Sequence, residues 1–471
     1  MSKHIVVIGG GITGLTAAYR LEQAARESNG QLTYTLLEGS PRLGGKIRTL
    51  RKDGYIIERG PDSFLERKTS AVELCKELGL EDELVRNATG QSYVLIDQTL
   101  HPIPEGAVMG IPTSFRPFLM SKMFTPGAKL RAGADLFLSK SKGSEDQSVG
   151  FFFRRRFGNQ VVDHLIEPLL SGIYGGDIDR LSLLSVFPQF YKIEQEKRSL
   201  ILGLKSTQPT TPKKKIGQFL TLKSGLETLI ETLASELVHG EIRTGTAVKQ
   251  LQQKSSGGFT VNTESGTLDA DAVLLALDHK QIPKLLKHEP VVQSLVDMPS
   301  SSVATVAMAF PKEAVSGLKD GTGFVVSKKS DYDITACTWT QKKWPHTTPE
   351  GHVLLRAYVG RPGNEAIIEQ SDDAIVGIAM QDLKKVININ EKPTFSVVTR
   401  WHQATPQYTV GHQKRIHTIK QTLQQNYPGL LLAGSSFEGL GLPDCIKQAN
   451  EAAQELLSFI DSTATSTMVK K

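Results

Sequence analysis

Cysteine is scarce in this chain: Cys75, Cys337 and Cys445 stand far apart among 471 residues, with no CxxC pair. That excludes a disulfide framework and a cysteine-held zinc site, and it favours a reducing compartment. The eleven histidines show no HExxH or comparable ligand spacing. His412 and His417 are not spaced to share one helix face, so no metal is expected. Long apolar runs are also missing; none approaches the roughly 18–20 residues a spanning helix needs. Met1–Lys3 leads straight into HIVVIGGG without a cleavable leader. The expectation is a cytoplasmic protein with no transmembrane segment. Charge of one sign is lacking too, since 55 Lys and Arg face 49 Asp and Glu for a net +6. This suits an anionic ligand and is too diffuse for nucleic acid. The one dense run, Lys213, Lys214 and Lys215, lies beside Pro209 and Pro212 and reads as a solvated linker.

What is present is ordinary for a soluble globular protein, with 39% hydrophobic and 22% charged residues. The length suits two or three domains. The first 38 residues read as a β-α-β unit. HIVVI is a short β-branched strand; Gly14, Ala18, Leu21 and Ala25 then recur at helical spacing; LTYTLLE is a second strand ending on Glu38. Ser70-x-x-Glu73 has the pattern of a capping box. Ser224-x-x-Glu227 opens an amphipathic helix with Leu226, Leu229, Ile230, Leu233 and Leu237 on one face. Strand-like EIRTGTAVKQL, GFTVNT and ADAVLLAL follow, and residues 300–400 alternate strand-like runs with turns, as a second sheet would. The segments Phe115–Phe124 and Leu130–Leu138 are read as buried helices, though apolar enough to lie on a bilayer. A last helix from Asp444 carries Ile446, Ala449, Ala453, Leu457 and Ile460 on one stripe, and the tail DSTATSTMVKK is expected to fray.

The chemistry starts at GGGITG, which supplies Gly9, Gly11 and Gly14 in the GxGxxG pattern between a strand and a helix. Gly9 suits a tight turn, Gly11 a close approach of backbone to a pyrophosphate, and Gly14 close packing of helix on sheet. The helix N-terminus, with Gly10, Ile12 and Thr13, offers free N–H groups and partial positive charge to phosphate. Glu38 can accept both hydroxyls of a ribose and would repel a 2′-phosphate, which disfavours NADP.

After Glu38 comes GSPRLGGKIRT. This run resembles the segment that follows the acid in flavoproteins of the glutathione-reductase and amine-oxidase type. The resemblance implies non-covalent FAD, with Gly39, Gly44 and Gly45 passing close to it and a basic residue, Arg42 or Lys46, nearby. LLLAGSSFEGLGLPDCIKQANEAA resembles that family's last cofactor motif, which puts Gly434, Gly441, Leu442 and Pro443 near the flavin and makes Asp444 a plausible N-cap. Ser435 departs from the family, standing where an acid often binds the ribityl chain. Val248 matches the position whose backbone meets the adenine. Cys445 is read as a buried cysteine rather than a covalent flavin link. The implied fold is α/β: a Rossmann-like FAD-binding domain with a sheet-containing substrate domain and a helical inserted domain. The expected division gives 1–65, 216–295 and 399–471 to the FAD domain, 66–84 and 296–398 to the substrate domain, and 85–215 to the insert.

Three further motifs, ERGPDSF (Glu58 to Phe64), EPLLSGIYGGDIDRLS (Glu167 to Ser182) and WHQATPQYTVGH (Trp401 to His412), resemble those of the porphyrinogen oxidases of haem synthesis. The resemblance spans nearly the whole chain and implies oxygen-dependent oxidation of coproporphyrinogen III by the soluble bacterial form. Protoporphyrinogen IX is the alternative substrate, and a ferrochelatase is an implied recipient of the product. It places Gly60, Pro61, Asp62, Ser63 and Trp401 beside the flavin. Lys68 falls where a cation meets a propionate, Gly172 and Ile173 line the macrocycle, and Trp339 stacks on it. No catalytic acid or base is named, because the cofactor carries the hard step. Rival readings are a flavin amine oxidase, a carotenoid-type desaturase, and a porphyrin carrier that keeps FAD as structure. The amine oxidase is disfavoured because Leu442, Pro443 and Asp444 stand where that family usually builds an aromatic cage.

Overall fold

The computed structural model describes residues 2–141, 145–206, 217–361 and 363–469; Lys213, Lys214 and Lys215 fall outside them. The β-branched opening run forms the central strand (Lys3–Ile8) of a five-stranded parallel sheet. Leu32–Leu37 and then Glu241–Arg243 lie on one side of it, Ala272–Leu275 and Leu430–Leu432 on the other. Its strands are apolar on both faces because both are covered. The helices Ile12–Glu27, Glu227–Glu236 and Leu442–Val469 pack on one face, and an antiparallel meander from Val248 to Ala270 helps close the other. Leu226, Leu229, Ile230, Leu233 and Leu237 are all buried, as their spacing implies. So are Ile446, Ala449, Ala453 and Ile460 of the last helix.

A second sheet has seven strands, in the order Phe395–Pro406, Ser300–Pro311, His352–Val359, Ile334–Trp339, Gly323–Val326, Tyr93–Ile96 and Thr99–Pro102. The last two were expected in the helical insert. They instead complete the seven-stranded sheet, Tyr93–Ile96 running parallel to Gly323–Val326. Phe395–Pro406 likewise crosses the expected boundary at 398, since one continuous strand pairs with Ser300–Pro311. Helices then dominate from Phe115 to Ser206.

Several local expectations are corrected. The run EIRTGTAVKQL is two strands, Glu241–Arg243 in the parallel sheet and Val248–Gln253 in the meander. Ser70 and Glu73 form no capping box: Thr69 precedes the helix Ser70–Glu77, and the Ser70 hydroxyl donates to the Pro443 carbonyl at 2.6 Å. Ser224 likewise precedes a helix that begins at Glu227, whose carboxylate accepts the Thr49 N–H at 2.8 Å. The last helix starts at Leu442, which puts Asp444 in its first turn, and continues to Val469 rather than fraying after Asp461. The helices around 115–138 are buried on one face only. Phe118, Met123, Phe124 and Ala132 are buried, while Leu119, Met120, Leu130 and Phe137 are exposed.

The helical region is fastened by a buried charge. Arg156 is fully buried and donates to Glu194 at 2.9 Å and Asp135 at 3.2 Å. Glu194 also accepts the Ser141 N–H at 3.0 Å. Removing one partner of such a cluster leaves an under-compensated charge away from water, which costs about 3–5 kcal/mol. Glu194→Ala should therefore lower the urea midpoint of this region by a stability loss of that order, whereas the exposed pair Lys447–Glu451 should be dispensable within about 0.5 kcal/mol.

Candidate functional site

The first strand stops at Gly9, whose φ of 111° is open to glycine alone here, since a Cβ would lie 2.4 Å from the Ala276 carbonyl oxygen. A Cβ on Gly14 would lie 1.8 Å from the Gly9 carbonyl oxygen. The first helical turn can thus sit against the strand end only with hydrogen at position 14. Gly11, the residue before the helix, is different: a Cβ there would meet nothing within 4 Å, and no side chain caps the helix. One face of the turn is bare backbone, with the first-turn N–H groups of Ile12 and Thr13 behind it and the dipole of a 16-residue helix aligned on it.

Other segments converge on this turn. Glu38 ends the second strand, and its carboxylate accepts the N–H of Gly10 and of Ser40, each at 2.7 Å. Gly44 bridges to Gly11 and donates its N–H to the Gly10 carbonyl at 2.8 Å. Gly45, with φ of 56°, passes so close that its Cβ would lie 3.3 Å from the Gly11 Cα. Arg42 holds that loop in place, donating to the carbonyls of Leu43, Gly45 and Ile47 and lying 3.5 Å from Glu227. Gly39 runs beside Ala247, and Thr246 donates to the Glu38 carbonyl at 2.8 Å, which brings Val248 to the same edge. On the other side Gly434, with φ of 125°, faces the Thr13 hydroxyl, and Gly441, Leu442 and Pro443 open the last helix. A bare turn, unspent amides and an acid at the neighbouring strand end fit the diphosphate and ribose of a dinucleotide.

A cavity of about 600 Å³ lies between the seven-stranded sheet, the helix Glu167–Tyr174 and the loops that carry Lys46, Gly60 and Ser435. Lys46, Gly60, Pro61, Trp401, Ser435 and Leu440 form one part of its wall. Gly60 is compressed against the Lys46 carbonyl, where a Cβ would lie 1.9 Å away, and the Trp401 ring rests on it while its indole N–H donates to the Arg59 carbonyl at 2.8 Å. The Lys46 ammonium donates to the Ala404 carbonyl, and burial lowers its pKa. Asp62 lies just behind this wall. Burial alone would raise its pKa, but Lys343 at 2.8 Å and Arg356 at 3.8 Å outweigh that and hold it well below the usual carboxylate range. Ser63 donates to the same carboxylate at 2.7 Å.

The remaining substrate expectations separate. Gly172 lines the cavity against Val325. Ile173 shares its helix, Glu167–Tyr174, but its side chain lies outside the described residues. Lys68 is not brought to the cavity wall; its ammonium clamps the Asp444 carboxylate at 2.6 and 2.7 Å, drawn to the acid in the first turn of the last helix. Trp339 is fully buried and touches Tyr93 and Phe324, so it backs two wall residues rather than facing the cavity. Cys445 is buried, which pushes its thiol up to about 11. The cations Lys328, Lys343, Arg356 and Arg361, which line the cavity, were not anticipated. Arg356 had a visible signal: it is the one charged residue inside the apolar run VLLRAYV.

A model of the family "Flavin containing amine oxidoreductase" matches residues 12–457. The chain belongs to that family. A coproporphyrinogen III oxidase of Bacillus subtilis is 54% identical, covering 98% of this chain and 99% of its own length. That of Staphylococcus aureus is 43% identical over 97% of this flavoprotein and all of its own length. A crystal structure from Exiguobacterium, provisionally assigned as a protoporphyrinogen oxidase, superposes with a TM-score of 0.87 at 40% identity, covering 97% and 99% of the two chains. A putrescine oxidase, at 14% identity and a TM-score of 0.69 over 97% and 99%, shares the fold.

Two outcomes follow for this flavoprotein. Gly14→Ala should reduce flavin absorbance per purified chain and lower thermal stability, whereas Gly127→Ala, in a helix with open space around it, should do neither. The second concerns Glu58, which accepts the Leu226 N–H at 2.7 Å and the Thr49 hydroxyl at 3.0 Å. Burial raises its pKa from 4.5 to about 7, with those bonds and Arg356 offsetting it in part. A raised acid favours the protonated folded state, so its contribution is complete below pH 4.5 and is lost as pH climbs through 7. Glu58→Gln should flatten that slope, worth on the order of 3 kcal/mol, in urea titrations run between those limits.

Proposed function

We propose that this protein is an oxygen-dependent, FAD-using coproporphyrinogen III oxidase. The observation that carries the reading is the 54% identity to the Bacillus subtilis enzyme along nearly the whole of both chains. The site supports it, because the dinucleotide cradle continues through Gly45, Lys46 and Gly60 into the wall of a cavity that can take a macrocycle. FAD held there would supply a two-electron acceptor that oxygen can restore. The overall reaction removes six electrons and six protons from the porphyrinogen and turns three O2 into three H2O2.

The chain's own residues bind and orient. Gly172, Val325 and Phe324 give the macrocycle flat apolar surface, and Gly60 and Pro61 keep its approach to the cofactor free of side-chain bulk. Holding the reacting bridge in place accounts for much of a barrier without any acid–base group. Five cations, Lys46, Lys328, Lys343, Arg356 and Arg361, face the cavity against two acids, Glu167 and Asp177. That balance suits a polycarboxylate and would repel a cationic amine. The absence of a membrane-crossing helix among the described residues fits the cytoplasmic setting we propose, and the buried Cys445 thiol fits a non-covalent cofactor.

Protoporphyrinogen IX is the second reading, since a spinach protoporphyrinogen oxidase is 30% identical over 97% of this chain. Purified protein supplied in air with each porphyrinogen separately should turn over coproporphyrinogen III with the higher kcat/KM and release close to three H2O2 per porphyrin. Bound flavin that stays oxidised on anaerobic addition of coproporphyrinogen would leave only a carrier.

A further inference from the structure

The five cavity cations are not equally available. Lys343 donates to Asp62 at 2.8 Å, and Arg356 lies 3.8 Å from the same carboxylate and donates to the Gly60 carbonyl. Lys46 is spent on the Ala404 carbonyl. Two remain. Arg361 uses only Nη2, on the carbonyls of Tyr332 and Ile334 at 2.8 and 3.2 Å. The nearest acid to Lys328 is Asp177, at 4.0 Å. Neither has a carboxylate within hydrogen-bond distance among the described residues.

Their surroundings point to a ligand. Both line the cavity with Glu167 and act on its charge, and the buried Oε2 of that residue, which is only 8% exposed, has no hydrogen-bond partner among the described residues. Burial raises the pKa of this acid, and Lys328 and Arg361 partly offset that. Glu167, Asp177 and Lys328 also border a charged surface recess with Arg154, Asp163, Asp179 and Lys329. The location is distinct from the cofactor wall. Arg356 touches the Gly60 carbonyl, the strand runs on to Val359 for another three residues, roughly 10 Å, and Arg361 lies beyond its end.

We propose that Lys328 and Arg361, which share the cavity wall with Glu167, form a carboxylate-binding site that grips propionate arms of the tetra-acid substrate at the mouth of the cavity. This rests on the porphyrinogen oxidase reading given above. Apolar residues Leu169, Phe324 and Val325 hold the ring and the two cations fix its rotation, which decides which methylene bridge is presented to the cofactor wall. Arg361 is the stronger partner, because its guanidinium can meet a carboxylate with two parallel bonds. Lys328 is exposed and contributes less.

The test uses flavin-loaded Lys328→Met, Arg361→Met and Arg361→Lys, with coproporphyrinogen III and its uncharged tetramethyl ester as substrates. A charge-assisted bond lost at Arg361 should raise KM for the acid about tenfold or more, and one lost at Lys328 about three- to tenfold. The loss should fall on KM rather than kcat, leave turnover of the ester unchanged, and be partly rescued in Arg361→Lys. Affinity for the product coproporphyrin III, followed by fluorescence quenching, should fall in parallel and needs no turnover. Unaltered KM and product affinity, or equal impairment of acid and ester, would overturn the site. Wild-type protein that oxidises neither substrate yet loses coproporphyrin affinity on substitution would sink the oxidase reading and leave the carboxylate site standing.

Discussion

The contact on which the rest depends is between two pieces of backbone: the Gly9 carbonyl and the first turn of the helix that begins at Ile12. With hydrogen at position 14 the turn closes to a distance that would put any side chain inside the carbonyl oxygen. That closeness aligns the helix with the strand end and leaves open space where a Gly11 side chain would stand. Gly44 and Gly45 then lie against the same turn through backbone alone. The cradle is made by omission of side chains, so the diphosphate binding that we propose for it would rest on amide direction and helix dipole rather than on a charged residue. Arg42 is consistent with this division, since its guanidinium is consumed in holding the loop.

A second constraint ties the cradle to the seven-stranded sheet. Asp62 sits at the junction, held by Ser63 beside it, by Lys343 and by Arg356 of the strand His352–Val359. Few charges are buried without partners because desolvation costs more than a single exposed pair returns. Here two cations offset that cost, and in exchange three distant stretches of chain are fixed relative to one another. Gly60 and Trp401 lie against the same fastening, with the indole N–H and Arg356 both bonded to carbonyls of residues 59 and 60. The wall that would face a flavin ring is therefore stiff, as a reaction governed by positioning requires.

Much of this was legible in the sequence, for identifiable reasons. The β-α-β unit was plain because a parallel strand buried on both faces reads as an unbroken β-branched run and because three glycines at fixed spacing mark the turn. The apolar stripes of the helices at 227 and 442 were equally clear. What escaped were features set by distant partners. Tyr93–Ile96 and Thr99–Pro102 look like any short strands, and only the edge offered by Gly323–Val326, more than 200 residues on, assigns them to the large sheet. Ser70 reads as a capping residue until the Pro443 carbonyl arrives beside it. Lys68 and Trp339 were expected at the substrate from the motifs around them. The fold instead gives Lys68 to Asp444 and turns Trp339 into the core, because strand direction and a nearby acid are invisible to motif spacing.

The distribution of charge around the cavity argues for how the molecule divides its labour. Cations near Gly60 are engaged within the protein, by the Asp62 carboxylate or by carbonyls, so they stiffen the wall and have fewer donors left for ligand. Cations near Glu167 have only weak or neutral partners and border water through the charged recess. A polycarboxylate entering such a space is pulled by its acidic arms toward the mouth while its apolar ring is driven inward against Val325, Phe324 and Gly172. Were the free charges beside Gly60 instead, the acidic arms would bury themselves against the cofactor wall and the ring would be left in solvent. The asymmetry itself orients the substrate, and it does so with residues that need take no part in the electron transfer.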